Sequence, residues 1–249
     1  MSIFAIQKKK KIKMENSLTI FLPGLDNQIR FVRRQLELEG KSSLTLGSAS
    51  EGIVKVFADE TNKKAELIVE DYSSLMNSRL LLGEDKSVNV RLMDFEYTDF
   101  EANAFDVVYT QGGISNPRRN KIVKEIKRTL KPDGIFCVGE VVSLSEKLPQ
   151  FVLDIYEATE LEPLQLTEIE DYYLERNFEI IEKKDLSFTL KDYYSKNLYE
   201  LKKSVNEMPE NEKSYYKKLI KMISHEAKAF LNEGADEYIG FLSLILKKK

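Results

Sequence analysis

Apolar and polar positions along this chain alternate between two periods. After a lysine-rich start, Ile29, Val32 and Leu36 recur at helical spacing in "LDNQIRFVRRQLELEG", and the pattern stops at Gly40, which predicts a helix with a glycine at its carboxyl cap. A short apolar run, Leu44 to Leu46, meets Gly47. "GIVKVFADE" then reads as a helix and "AELIVED" as a compact strand ending in Glu70 and Asp71. The alternation continues with a helix over Ser74 to Leu82, strands "VNVRLMD" and "FDVVYT", a helix from Pro117 to Leu130, the turn "KPDG" and the strand "IFCVGEVV". Strands that alternate with helices in this way predict an α/β fold, a parallel sheet with helices on both faces. Further on, the pattern predicts a helix around Phe151 to Tyr156, a second ending near Asn177, the strand "FEIIEKKDLSF", helices over Leu190–Asn206 and Glu210–Asn232, and a last strand in "EYIGFLSLILKKK". No linker rich in Pro, Gly or Ser and no internal repeat interrupts the chain. Residues 17–249 therefore read as a single domain with cap helices within about 144–177 and 190–232.

Composition narrows the chemistry. The 38 Lys and Arg against 41 Asp and Glu leave a formal charge of -3, which speaks against nucleic acid as a partner. Cys137 is the single cysteine and His225 the single histidine, so a disulfide framework, a thiolate zinc cluster and a multi-histidine metal centre are all excluded. Cys137, inside an apolar strand, reads as a small buried hydrophobe and fits a reducing, cytoplasmic compartment. No segment approaches the roughly 20 apolar residues that span a bilayer. Residues 1–16 carry the lysine run Lys8 to Lys13 without the order of a secretory signal, and read as a disordered basic tail or as an electrostatic arm for acidic surfaces; Met14 offers an alternative start.

Ligands of open parallel sheets bind at the carboxyl ends of the strands, and three loops there carry suitable residues. In the first, Gly47 permits a tight turn, with Ser48 and Ala49 following before a helix that offers free amide groups; the same glycine also reads as plain punctuation. In the second, Glu70 and Asp71 end the second strand about 20 residues further on, where a carboxylate can accept hydrogen bonds from ribose hydroxyls, with Tyr72 next to them. In the third, Asp94 closes the third strand and can accept from an exocyclic amine. Phe95 can lie against a flat base or belong to the core, and Asp106 opens the fourth strand.

From Leu44 to about Val142 the chain resembles a class I methyltransferase that uses S-adenosylmethionine, of the small-molecule type. "VEDYSS" resembles the family's ribose-binding strand end, with Asp71 at the acid and Tyr72 at the apolar position after it. "LMDFEY" resembles the adenine-contacting turn, with Asp94 and Phe95. "AFDVVYTQGG" resembles the fourth strand and its loop, whose Thr110, Gln111 and Gly112 would lie near the cofactor's amino-acid end. "EIKRTLKPDGIF" resembles the turn usually written Leu-Lys-Pro-Gly-Gly. The family's acid followed by Gly-x-Gly-x-Gly is here Thr45 followed by Gly47, Ala49 and Glu51, a degenerate glycine loop. Thr45 would attract the methionine ammonium less, and Glu51 would bring a carboxylate close to the methionine carboxylate.

The resemblance implies a Rossmann-like, doubly wound, seven-stranded, mostly parallel sheet whose antiparallel last strand lies at the edge. It also implies S-adenosylmethionine as cofactor, S-adenosylhomocysteine as product, a small-molecule acceptor and no metal. Methyl transfer chiefly requires alignment and exclusion of water. Where the acceptor needs a base, His225 is the candidate catalytic residue, and its helical setting in "KMISHEAKAF" equally suits a packing or surface histidine. Tyr172, Tyr173, Tyr193, Tyr194, Tyr199, Tyr215 and Tyr216 in the cap can line an acceptor pocket, contact a sulfonium face or pack helices. Two other readings stay open: a catalytically inactive, cofactor-sensing or interaction protein, supported by Thr45 and Glu51, and a nucleotide-binding dehydrogenase, suggested by Gly-x-Ala-x-x-Gly and opposed by the Leu-Lys-Pro-Asp-Gly turn.

Overall fold

A computed structural model of the chain describes residues 20–207 and 210–249; the basic tail lies outside the described residues. The elements follow the order α1 (Asn27–Gln35), β1 (Ser43–Leu46), α2 (Glu51–Thr61), β2 (Ala65–Val69), α3 (Tyr72–Leu82), β3 (Val88–Leu92), β4 (Phe105–Gln111), α4 (Arg119–Thr129) and β5 (Leu130–Ser143), then α5 (Gln150–Thr159), β6 (Leu164–Gln165), α6 (Ile169–Leu174), β7 (Phe178–Asp185), α7 (Leu190–Glu207), α8 (Glu210–Asn232) and β8 (Ile239–Lys248).

One sheet runs in the order β3-β2-β1-β4-β5-β8-β7, with the two-residue β6 added beside the end of β5. Strands β1 to β5 are parallel, and the order reverses direction at β1 and β4, the point at which open α/β sheets bind ligands beside the carboxyl ends of their strands. The last strand is antiparallel, as the resemblance implies, but it is not the edge. β8 lies between β5 and β7 and pairs antiparallel with both. Its eight leading residues are all buried, the burial of an interior strand, whereas β7 alternates with exposed Glu and Lys, which is how an edge strand discourages further pairing.

Alternate residues of the strands feed two faces. Leu46, Ile68, Val108 and Val138 meet Ile122, Val123 and Ile126 of α4 and Ile169 of α6. On the other face, Leu67, Val69 and Tyr109 meet Ile29 and Val32 of α1, Ile53, Val54 and Phe57 of α2, and Leu75 of α3. The cap packs a separate cluster, with Val152 and Ile155 of α5 against Leu190, Tyr194, Phe230 and Phe241. Gly40 does not cap α1. The helix stops at Gln35 and Leu36 is already extended, because Leu38 turns inward to join the core. Gly40, at φ +71, serves the next turn and donates its N–H to the Thr61 carbonyl at 2.9 Å.

Candidate active site

The turn after β1 keeps the shape a phosphate-sized or amino-acid ligand needs. Gly47 has φ +121, and a Cβ there would meet only the Ser50 hydroxyl, at 3.6 Å, so backbone and ligand can approach closely. Ala49 occupies the left-handed region at φ 63 although it is not glycine, a conformation that costs an L-residue roughly 1–2 kcal/mol. The loop therefore holds a glycine-like path despite the substitution. Three hydroxyls at this end of the sheet, on Thr45, Ser50 and Thr110, are buried without a hydrogen-bond partner. Buried polar groups are rarely left so, and here they lie on β1, on β4 and at the N-cap of α2.

Glu51 departs from its sequence reading. Its side chain turns toward α3, where it accepts from the Ser78 hydroxyl at 2.6 Å, and burial pushes its pKa up against the lowering effect of that bond. A carboxyl raised in the folded state binds protons more tightly there than in the unfolded chain, so its contribution to stability falls as pH rises from about 4.5 through the folded value. Glu51→Gln is accordingly expected to be more stable than wild type at pH 8, an advantage that shrinks toward pH 4, measured by urea midpoints at both pH values.

At the end of β2, Asp71 is the N-cap of α3. Its Oδ1 accepts from the Ser74 N–H at 2.9 Å and its Oδ2 from the Ser74 hydroxyl at 2.6 Å, yet the carboxylate stays exposed and retains lone pairs for a diol. Tyr72 beside it is 67% exposed, an aromatic face open to solvent. Asp94 is exposed after β3, and its Oδ1 accepts from the Glu96 N–H at 2.8 Å. The Phe95 ring is core, in one cluster with Ile68 and Ile114, so at this turn Phe95 offers its backbone rather than its ring. Its N–H donates to Glu70 Oε1 at 2.9 Å.

The loop after β4 divides its roles. Thr110 supplies one of the unpartnered hydroxyls, and Gly113 leaves it room, since a Cβ there would lie 2.9 Å from Thr110 Oγ1. Gln111 is fully engaged elsewhere. Its Nε2 donates to the carbonyls of Pro23 and Leu25, both at 2.7 Å, and its Oε1 accepts from the Tyr109 hydroxyl at 2.6 Å. Gln111 thus straps the segment before α1 to the end of β4, and Gly112, at φ +70, packs against Pro23. Gln28 of α1 adds a bond from its Nε2 to the Thr110 carbonyl at 3.0 Å.

Asp106 belongs to the opposite end of β4. Burial raises its pKa, but Lys131 and Ser42 more than offset this and hold it at about 2. His225 is exposed on α8, outside any water-excluding cluster. Tyr194 stacks on Phe230 at 4.4 Å inside the cap, and Cys137 is buried with its pKa pushed up by that burial.

One cluster escaped sequence reasoning. Glu140 of β5 is fully buried. It accepts from Arg119 Nε at 2.7 Å, from the Ser115 hydroxyl at 3.2 Å and from the Tyr173 hydroxyl, and so joins β5 to α4 and α6. Burial first, and then the Glu140 charge, lift the Tyr173 pKa well above 10. The signal was a single acid inside the apolar run "IFCVGEVV". Among the described residues no helix is long and apolar enough to cross a membrane, and no group of three or more His, Cys, Asp or Glu could hold a metal.

Comparison with known proteins agrees with this geometry. Residues 44–138 match the family model of the methyltransferase domain. The ubiquinone/menaquinone biosynthesis C-methyltransferase of Hydrogenovibrio crunogenus is 28% identical over 137 residues, which is 50% of this chain and 53% of that protein, so the matched stretch spans about half of the relative. Two solved structures share the fold. Phosphoethanolamine N-methyltransferase 2 of Haemonchus contortus, in complex with S-adenosyl-L-methionine, has a TM-score of 0.73 at 17% identity over 90% of this chain and 52% of that one. The [4+2]-cyclase SpnF has a TM-score of 0.72 at 18% identity over 90% of this chain and 80% of that one. With strand order, strand-end acids, glycine turn and domain match in agreement, residues 44–138 are similar to the methyltransferase domain, and the chain shares the fold of S-adenosylmethionine-dependent methyltransferases of known structure.

Proposed function

We propose that the protein binds S-adenosylmethionine across the carboxyl ends of β1 to β4 and transfers its methyl group to a small-molecule acceptor, releasing S-adenosylhomocysteine. The observation that carries this is the turn at Gly47, where an added Cβ would meet only the Ser50 hydroxyl, at 3.6 Å, together with the buried, unpartnered hydroxyls of Ser50, of Thr45 on β1 and of Thr110 on β4. These hydroxyls suit a zwitterionic amino-acid group, because each can donate to a carboxylate or accept from an ammonium. Thr45 then does by hydrogen bonding part of what the family's acid does by charge, and Glu51, turned to Ser78, adds no carboxylate to the pocket.

When bound, the cofactor supplies an electrophilic sulfonium methyl, so the protein's work is alignment and exclusion of water. Asp71 would accept from the ribose hydroxyls, Tyr72 would lie against the base and Asp94 would accept from the exocyclic amine. The strap held by Gln111 would close the side where an acceptor enters. His225, exposed on α8, is not assigned the role of base.

Isothermal titration calorimetry with S-adenosylmethionine and S-adenosylhomocysteine tests the reading. Micromolar binding is expected, weakened tenfold or more in Asp71→Ala, because a hydrogen bond to a charged group is worth about 1.5–3 kcal/mol. Absence of binding by the wild type would refute it. A second reading, a methyltransferase-like scaffold that holds the cofactor without transferring its methyl, draws support from Thr45 in place of an acid and from the likeness in fold to a cyclase. It predicts binding without turnover for any acceptor.

A further inference from the structure

Adenine is read along one edge by an acceptor for its exocyclic N–H and a donor for the adjacent ring nitrogen. Asp94 and the Phe95 N–H are such a pair on consecutive residues, but the donor is already taken: the Phe95 N–H is bonded to Glu70 Oε1 at 2.9 Å. The same oxygen is ion-paired with Arg118 Nη2 at the start of α4. Arg118 lies among three carboxylates, with its Nε 3.0 Å from Glu96 Oε1 and its Nη2 3.9 Å from Asp94 Oδ1. That Nε is buried and makes no aligned hydrogen bond, so the guanidinium is held by the hydrogen bond from its Nη2 to Glu70 and, toward Glu96, by charge. Lys121 also pairs with Glu96, at 3.0 Å, so Arg118 is the cation that ties Glu70 to this acidic group.

We propose that Glu70, held by Arg118, is an internal latch on the adenine-reading turn, a self-contact that the incoming adenosine must displace. The proposal rests on the cofactor reading above. Glu70 swings off the Phe95 N–H when the ring nitrogen takes its place, and Arg118 follows it or stays with Glu96. The latch lowers affinity for every adenosine-containing ligand alike, because its contacts lie at the base edge and not at the amino-acid end. Glu70 and Arg118 are both partly exposed, so the movement requires no rearrangement of the core.

The test is calorimetry with S-adenosylhomocysteine and with adenosine on wild type, Glu70→Ala, Glu70→Gln and Asp71→Ala, with thermal midpoints taken to confirm folding. Glu70→Ala is expected to bind both ligands about tenfold more tightly, about 1.4 kcal/mol. Glu70→Gln, which keeps an acceptor for the Phe95 N–H but loses its charge toward Arg118, is expected to fall between. In the ligand-free protein the Phe95 amide resonance should move in Glu70→Ala toward its position in the bound wild type. Equal or weaker binding by Glu70→Ala, alongside binding by the wild type that Asp71→Ala weakens tenfold or more, overturns the latch and leaves the cofactor reading intact. Absence of binding by every variant overturns both. Binding by Glu70→Ala alone supports both.

Discussion

Arg119→Met is expected to cost about 3–5 kcal/mol of folding stability, the penalty for leaving a buried carboxylate without its counter-charge. Glu140 has no exposure to water, and Arg119 Nε, 2.7 Å away, is its cationic partner among the described residues. Removing the guanidinium leaves the Ser115 and Tyr173 hydroxyls to stabilise the charge alone. Urea unfolding of the variant at pH 7 measures the loss. At lower pH the loss should diminish, because an unpaired Glu140 can be protonated. The double variant Arg119→Met with Glu140→Leu separates charge from packing. Replacing both members of a buried pair by apolar groups is often neutral, so much of the stability should return, less the cost of the orphaned Tyr173 hydroxyl. A loss below about 1 kcal/mol for Arg119→Met would show that the pair does not hold β5, α4 and α6 together.

Gly139→Ala is expected to lift the start of α1, and with it the segment before α1, off the sheet. A Cβ on Gly139 would lie 1.9 Å from Gln28 Oε1 and 2.5 Å from Phe241 Cζ, distances at which something must move. Overpacking of this kind costs about 1–3 kcal/mol or more. Gln28 is the weaker neighbour. Its Oε1 has no partner and only its Nε2 is anchored, at the Thr110 carbonyl, whereas Phe241 belongs to the cap core and to interior strand β8. Hydrogen exchange should therefore quicken across residues 24–32, and trypsin should cut earlier at Arg30, before any change in the rest of the sheet. Shortening Gln28 to alanine in the same chain removes the closest clash and should restore part of the protection. Unaltered exchange in Gly139→Ala would mean that the strap is not seated on β5 as described.

The order of strands and helices was legible because each element carries its own period, from "SLTLG" at β1 to "FLSLIL" at β8. The places of Asp71 and Asp94 in the fold were legible for a related reason: an acid just after an apolar strand lies at the carboxyl edge of a parallel sheet wherever that sheet folds. Side-chain partners were not legible. Gln111 shares a loop with the glycines, but its amide is spent on carbonyls 86 and 88 residues earlier in the chain, which no local pattern encodes. Glu51 occupies a glycine position of the motif, yet the first turn of α2 rotates it toward Ser78. Phe95 could have faced a base or the core, and apolar neighbours from three strands and α4 drew it inward. The interior position of β8 was hidden too, because strand order depends on how α5 to α8 return the chain, not on the composition of the strand.

That interior position governs how the chain can be made. β5 and β7 do not pair with each other; each waits for β8, which follows both of them in the chain. Until residues 239–248 emerge, a nascent chain carries two open sheet margins and half of an uncovered cap core. Open margins are templates for pairing with other chains. The first five strands can form early, but closure of the sheet waits until β8 is made, and a chain cut short before it would be sticky rather than merely short.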